Sequence, residues 1–188
     1  MNPTWSTART FEDLCHCAAA FLRGELAEFP GWMADETDVE TDRLLPALEA
    51  ACALGFLPLA SQPGGCPETS HDGLPWRQRA FLIGFAGPAL TERLRGEAAL
   101  AGLWFRDFAA TESGGEELCV AEQGPRRYLW VGQASGPVEL EIFQDEIPPA
   151  AFAELTAGRY LVLVDPDWGR DDRLWPVLTR LADPGQQP

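Results

Sequence analysis

Asp165 and Asp167 follow Tyr160–Val164, a run that is almost purely apolar. A carboxylate at the end of a buried strand, walled by an aromatic ring such as Trp168, has its pKa pushed upward and suits general acid or base work. The string Asp165-Pro166-Asp167-Trp168-Gly169 equally suits an Asx-type turn that leads into a helix cap. Ser61 and Gln62 follow a second apolar run, Phe56–Ala60, and precede Pro63-Gly64-Gly65. Ligands of α/β sheets gather beyond the carboxyl ends of strands, so Gln62 is placed to hydrogen-bond a polar substrate, with Ser61 beside it. Ser61 lacks the Gly-x-Ser-x-Gly frame of a nucleophile elbow, and a turn that needs Gly and Pro for its dihedrals is the plainer account.

Trp76, Arg77 and Arg79 pair a large ring with guanidinium groups. Arg77 is placed to orient a carboxylate, sulfate or phosphate, and Trp76 to wall the site. Trp104, Arg106 and Asp107 repeat the combination, and salt bridges to the abundant acids explain both sets as well. His71 lies close to Cys66 in the same stretch, as a base beside a thiol would. No cysteine-hydrolase signature surrounds them. Cys15-His16-Cys17 is not read as a metal site, because residues two apart on a helix point about 200° from each other. Walker and dinucleotide fingerprints are absent, so neither metal nor cofactor is expected.

These residues must be positioned by a chain of 188 residues, long enough to bury a core as one domain over 1–188. It carries 29 acidic and 14 basic residues, a net charge of −15, and every basic residue is Arg. Such charge argues against phosphate backbones and anionic membranes as partners. No apolar run approaches the roughly 18 residues of a membrane span. Five cysteines without framework spacing and no secretory leader point to a cytoplasmic setting.

The spacing predicts a helix opening at Thr10, with Asp13 completing a capping box, and closing at Phe29-Pro30-Gly31. Residues 34–42, five of nine acidic, read as a charged connector. A helix over 41–54 and a strand over 56–60 follow, then a long irregular loop over 61–76. Next come a strand at 79–85, a helix from Pro88 to Gly102 and a strand at 103–109. A hairpin around Gly124-Pro125 joins 117–123 to 126–132. Val138–Phe143, with Glu139 and Glu141 alternating, reads as a half-wet strand. A helix from Pro148 to Gly158, the central strand 160–164 and a helix through Leu181 end the fold, with a frayed tail from Asp183. The expected class is α/β or α+β: a single mixed, largely antiparallel sheet of 6–7 strands with about five packing helices.

LLPALEAACALGFLPLASQPG over 44–64, QRAFLIGFAGPALTERL over 78–94 and the opening ARTFEDLCHCAAAFLRGEL together resemble an uncharacterised family of actinobacterial proteins, mainly across residues 5–94. That family has no assigned activity. The resemblance implies an intracellular bacterial domain and designates no catalytic residue.

The sequence therefore points first to a small-molecule-binding domain or cofactor-free enzyme, with specialised metabolism as its setting. Asp165, Asp167 and His71 would supply acid–base chemistry for a hydrolytic, elimination or cyclisation step. Ser61, Gln62, Trp76, Arg77 and Trp168 would hold the ligand. The alternative is an acidic interaction protein that binds a basic protein partner.

Overall fold

Thr10 starts helix α1 (Phe11–Leu22) through a reciprocal cap. Its hydroxyl accepts the Asp13 N–H at 3.1 Å, while the Asp13 carboxylate accepts the N–H groups of Arg9 and Thr10 at 2.7 and 3.1 Å. The helix stops at Leu22, about two turns before Phe29. Gly24 adopts φ +70°, its N–H bonds Phe21 O, and Glu25 N–H bonds Ala20 O, the double closure of a Schellman ending. The structure is a computed structural model that describes residues 3–31, 39–65, 68–69, 73–183 and 185, with backbone alone at 39, 68 and 69.

A 3₁₀ segment (Val39–Leu44) leads into α2 (Leu45–Ala53) and then β1 (Phe56–Gln62). Short strands β2 (Glu68–Thr69) and β3 (Pro75–Gln78) precede β4 (Phe81–Ala86), α3 (Pro88–Ala101) and β5 (Trp104–Ala109). After β6 (Ser113–Gly114), the hairpin of β7 (Leu118–Gln123) and β8 (Arg126–Val131) turns where Gly124-Pro125 predicts. The chain ends through β9 (Ala134–Ser135), α4 (Gly136–Gln144), α5 (Pro149–Thr156), β10 (Arg159–Val164) and α6 (Leu174–Ala182).

The mixed α/β class holds, and every strand pairing is antiparallel. The strands do not merge into one sheet of 6–7. They form a four-stranded sheet β1-β4-β10-β5, a second four-stranded sheet β2-β3-β7-β8, and the pair β6-β9. The expected strand over Val138–Phe143 is helix α4: Leu140 and Phe143, three apart, are both buried, while Val138 is 63% exposed. Alternating Glu139 and Glu141 fit either period over so short a run, and Pro137 in the first turn favours the helix.

Alternation along β4 and β10 builds a layer on each face of the first sheet. Phe81, Ile83, Phe85, Tyr160, Val162 and Val164 face one core, with Leu14 and Ala18 of α1, Phe143 of α4 and Leu155 of α5. Leu82, Leu161 and Leu163 face the other, with Leu48 of α2, Leu94 of α3 and Leu178 of α6. β10 lies inside the sheet, between β4 and β5, as its unbroken apolar run predicts. No described helix is long and apolar enough to cross a membrane.

Candidate functional site

Two antiparallel steps restore the original direction. Gln62 pairs with Phe81 across β1 and β4, and Phe81 pairs with Val164 across β4 and β10. The carboxyl ends of β1 and β10 therefore leave the sheet on the same side, one strand apart, and the 61–77 stretch meets the 165–171 turn. Gly64 N–H donates to Asp171 Oδ1 at 2.5 Å, and Gly169 N–H donates to Gln78 O at 2.9 Å. A Cβ on Gly64 would sit 2.1 Å from the Arg170 carbonyl oxygen, so only glycine admits this approach. Arg79 Nε donates to Pro166 O at 2.7 Å and another of its nitrogens to Cys119 O. The guanidinium groups of Arg77 and Arg79 lie 4.6 and 3.9 Å from the Trp168 ring centroid.

The β10 end uses its polar groups internally, save one carboxylate oxygen of Asp165. Asp165 is fully buried; its Oδ1 accepts Asp167 N–H at 3.0 Å and meets Arg173 at 3.4 Å. That is an Asx turn reinforced by an ion pair. Asp165 Oδ2 is buried without a hydrogen bond, and burial raises the pKa against the lowering by the Asp167 N–H and Arg173. Asp167 is half exposed and pairs with Arg173 at 2.7 Å and Arg170 at 3.5 Å. Asp171 Oδ1 also accepts the Trp175 indole N–H at 3.0 Å. Arg77 places two nitrogens on Glu122 Oε2, at 2.9 and 2.6 Å.

The β1 end is open. A cavity of about 540 Å³ is lined by Ser61, Gln62, Pro63 and Phe81, by Trp76 and Gln78 of β3, by Leu129, and by Glu40 and Thr41. Ser61 and Thr41 also line a smaller recess of about 80 Å³, whose other walls include Phe21, Leu22, Phe29, Leu48 and Leu59. A polar chamber thus adjoins an apolar one. Gln62 Nε2 donates to Arg79 O at 3.0 Å and Val120 O at 3.2 Å, tying the two sheets together. Gln78, 4% exposed, donates to Pro63 O at 2.8 Å and Glu40 Oε2 at 3.2 Å, and accepts the Trp76 indole N–H at 2.9 Å.

Ser61, Gln62 and Trp76 are therefore brought together around one cavity. Trp168, Arg77, Asp165 and Asp167 gather beside it in the turn that braces it. His71, like Cys66, lies outside the described residues. Glu40, Thr41 and Gln78 were missed by sequence reasoning: Glu40 and Thr41 fall in a stretch that reads as a charged connector, and Gln78 between two stronger signals. The second Trp–Arg–Asp set is ion-paired, with Asp107 meeting Arg159 at 2.6 Å and Arg95 at 2.9 Å. The thiols of Cys15, Cys17 and Cys52 are buried, and burial pushes Cys17 up to about 11 and Cys52 up to about 12, far from thiolate chemistry.

The family model described as a domain of unknown function, DUF6919, matches residues 1–183, and the chain belongs to that family. No curated protein matches the sequence.

Proposed function

We propose that this protein binds a small molecule at the carboxyl end of β1. The carrying observation is the polar cavity that shares Thr41 and Ser61 with an apolar recess. Concave sites with apolar walls and a few convergent polar groups are where small ligands bind. Binding is better supported than turnover, because Asp165 is sealed from solvent and Asp167 is committed to arginines. In this reading the 165–171 turn is the brace of the site, and Glu40 is the carboxylate nearest a ligand. A cytoplasmic setting fits the unpaired, buried thiols at Cys15, Cys17, Cys52 and Cys119.

A thermal-shift screen against metabolite fractions tests the reading. A ligand at 100 times its dissociation constant adds about 2.7 kcal/mol, a rise of several degrees. Ser61→Trp, which fills the junction of the two chambers, should remove the shift while leaving the fold intact. A shift that survives the substitution would place the ligand elsewhere.

A second reading rests on a different surface. β8 is the edge strand of its sheet, and Tyr128, Leu129 and Trp130 are 57, 39 and 41% exposed along it. Such an edge can accept a strand from a partner protein. Arg126 and Arg127 on that strand suit an acidic partner segment, rather than the basic partner that the −15 net charge suggests. A complex indifferent to salt and to Arg126→Glu with Arg127→Glu would sink this reading.

A further inference from the structure

We infer that the ligand of the β1-end site is an organic amine with an apolar tail, its ammonium in the polar chamber and its tail in the recess. This rests on the small-molecule reading above and specifies its chemistry. The side-chain N–H donors on the described wall are already spent. Both hydrogens of the Gln62 amide go to the carbonyls of Arg79 and Val120. The Gln78 amide donates to Pro63 O and Glu40, and the Trp76 indole donates to Gln78 Oε1.

These amide orientations are fixed by their partners. Turning Gln62 over would set its oxygen against two carbonyl oxygens. Turning Gln78 over would set its NH₂ against the Trp76 N–H and its oxygen against a carbonyl and a carboxylate. What remains for a ligand, among the described residues, is a set of acceptors: Gln62 Oε1 and the Glu40 carboxylate, with the hydroxyls of Thr41 and Ser61 able to act either way. No Lys or Arg is among the described lining residues.

An acceptor-rich wall with a carboxylate disfavours an anion and leaves a neutral acceptor little to bond. It suits a cation that donates several hydrogen bonds. Trp76 and Phe81 line the same chamber, and aromatic rings attract ammonium groups. The recess beyond Ser61 and Thr41 offers Phe21, Leu22, Phe29, Leu48 and Leu59, with no charged residue among its described walls. Its modest size fits a single ring or the last carbons of an alkyl chain, whose remaining carbons run back through the junction into the larger chamber.

Isothermal titration with chain-matched probes tests the inference: n-octylamine, 1-octanol and octanoate against the full chain. Octylamine should bind roughly tenfold or more tighter than octanol, with octanoate weakest. Glu40→Gln should weaken the amine about tenfold and leave octanol unchanged. Glu117→Gln, an exposed control that changes net charge equally, should change neither. Ser61→Trp should abolish octanol and octylamine binding together. If amine and alcohol bind alike, both lost in Ser61→Trp, the amine inference fails while the cavity reading stands. If octanoate binds best, or if the two Gln variants weaken the amine equally, the Glu40 contact is not the determinant and the inference is overturned. If no probe binds, the cavity reading falls with it.

Discussion

The carboxyl ends of β1 and β10 lie one strand apart and each has a carboxylate and a Trp close by, yet they use their polar groups in opposite ways. At β10, Asp165, Asp167 and Asp171 each meet a backbone N–H, an arginine or an indole, and Trp168 lies under two guanidinium groups. At β1, Ser61 and Gln62 line an open cavity, and among the described residues the Ser61 hydroxyl and Gln62 Oε1 take no hydrogen bond. The contrast separates a brace from a site. Residue type does not distinguish them, since a carboxylate beside a Trp describes both; the fraction of polar groups already satisfied within the protein does. A buried polar group with every partner in place contributes rigidity, whereas an unspent one at a cavity wall offers recognition.

The largest break in the contrast should come from Gly64. A methyl group there meets the Arg170 backbone oxygen at 2.1 Å, so the 61–65 segment and the 165–171 turn must separate. Gly64→Ala is expected to cost about 3 kcal/mol in urea unfolding. Ser61→Ala, at the open end, should stay within about 0.5 kcal/mol. Equal, small effects at both positions would mean that the ends are not locked together. Asp171→Ala comes next. It strands the N–H of Gly64 and the indole N–H of Trp175, and about 2 kcal/mol should be lost. Retention of full stability would show that water replaces the carboxylate at no cost.

The sequence revealed much of the frame and little of the contrast. Thr10 and Asp13 announce their cap because capping is a local exchange of hydrogen bonds, and Tyr160–Val164 announces a central strand because burial on both faces demands an unbroken apolar run. The division into two sheets was hidden, since strand pairing depends on contacts far apart in the chain. Helix α4 was hidden because the six residues Val138–Phe143, apolar apart from Glu139 and Glu141, fit both periods. Ser61, Gln62 and Trp76 were legible as residues beside a strand end or a glycine-rich loop. Glu40 was not, because its place on the cavity wall depends on Gln78, 38 residues away, donating to it at 3.2 Å.

Asp167 sharpens the boundary between brace and site. It is 53% exposed, and its pairs with Arg173 and Arg170 are of the exposed kind. Asp167→Asn should change stability by only about 0.5 kcal/mol, and a ligand-induced thermal shift should be unaltered. Collapse of that shift would move the β10 end into the binding site.

The smallest effect is a slope. Burial raises Asp165 above its ordinary value of 3.8, so the folded chain holds this proton more tightly than the unfolded chain does. Between the two values the native state binds more protons, and stability falls as pH rises through that window. It is flat below the unfolded value and above the folded one. Asp165→Asn removes the proton and with it this slope, so the variant should gain on the wild type as pH climbs from about 4 toward neutrality. Asp13 and Asp107, whose hydrogen-bonded partners hold their carboxylates below 3.8, impose the opposite slope on both proteins and cancel in the difference. Urea midpoints measured in parallel at stepped pH read that difference directly. A wild type that gains on the variant as pH rises would mean that Arg173 keeps Asp165 ionised. The β10 end would then hold a charged carboxylate with one oxygen to spare, and the contrast between a spent end and an open one would reverse.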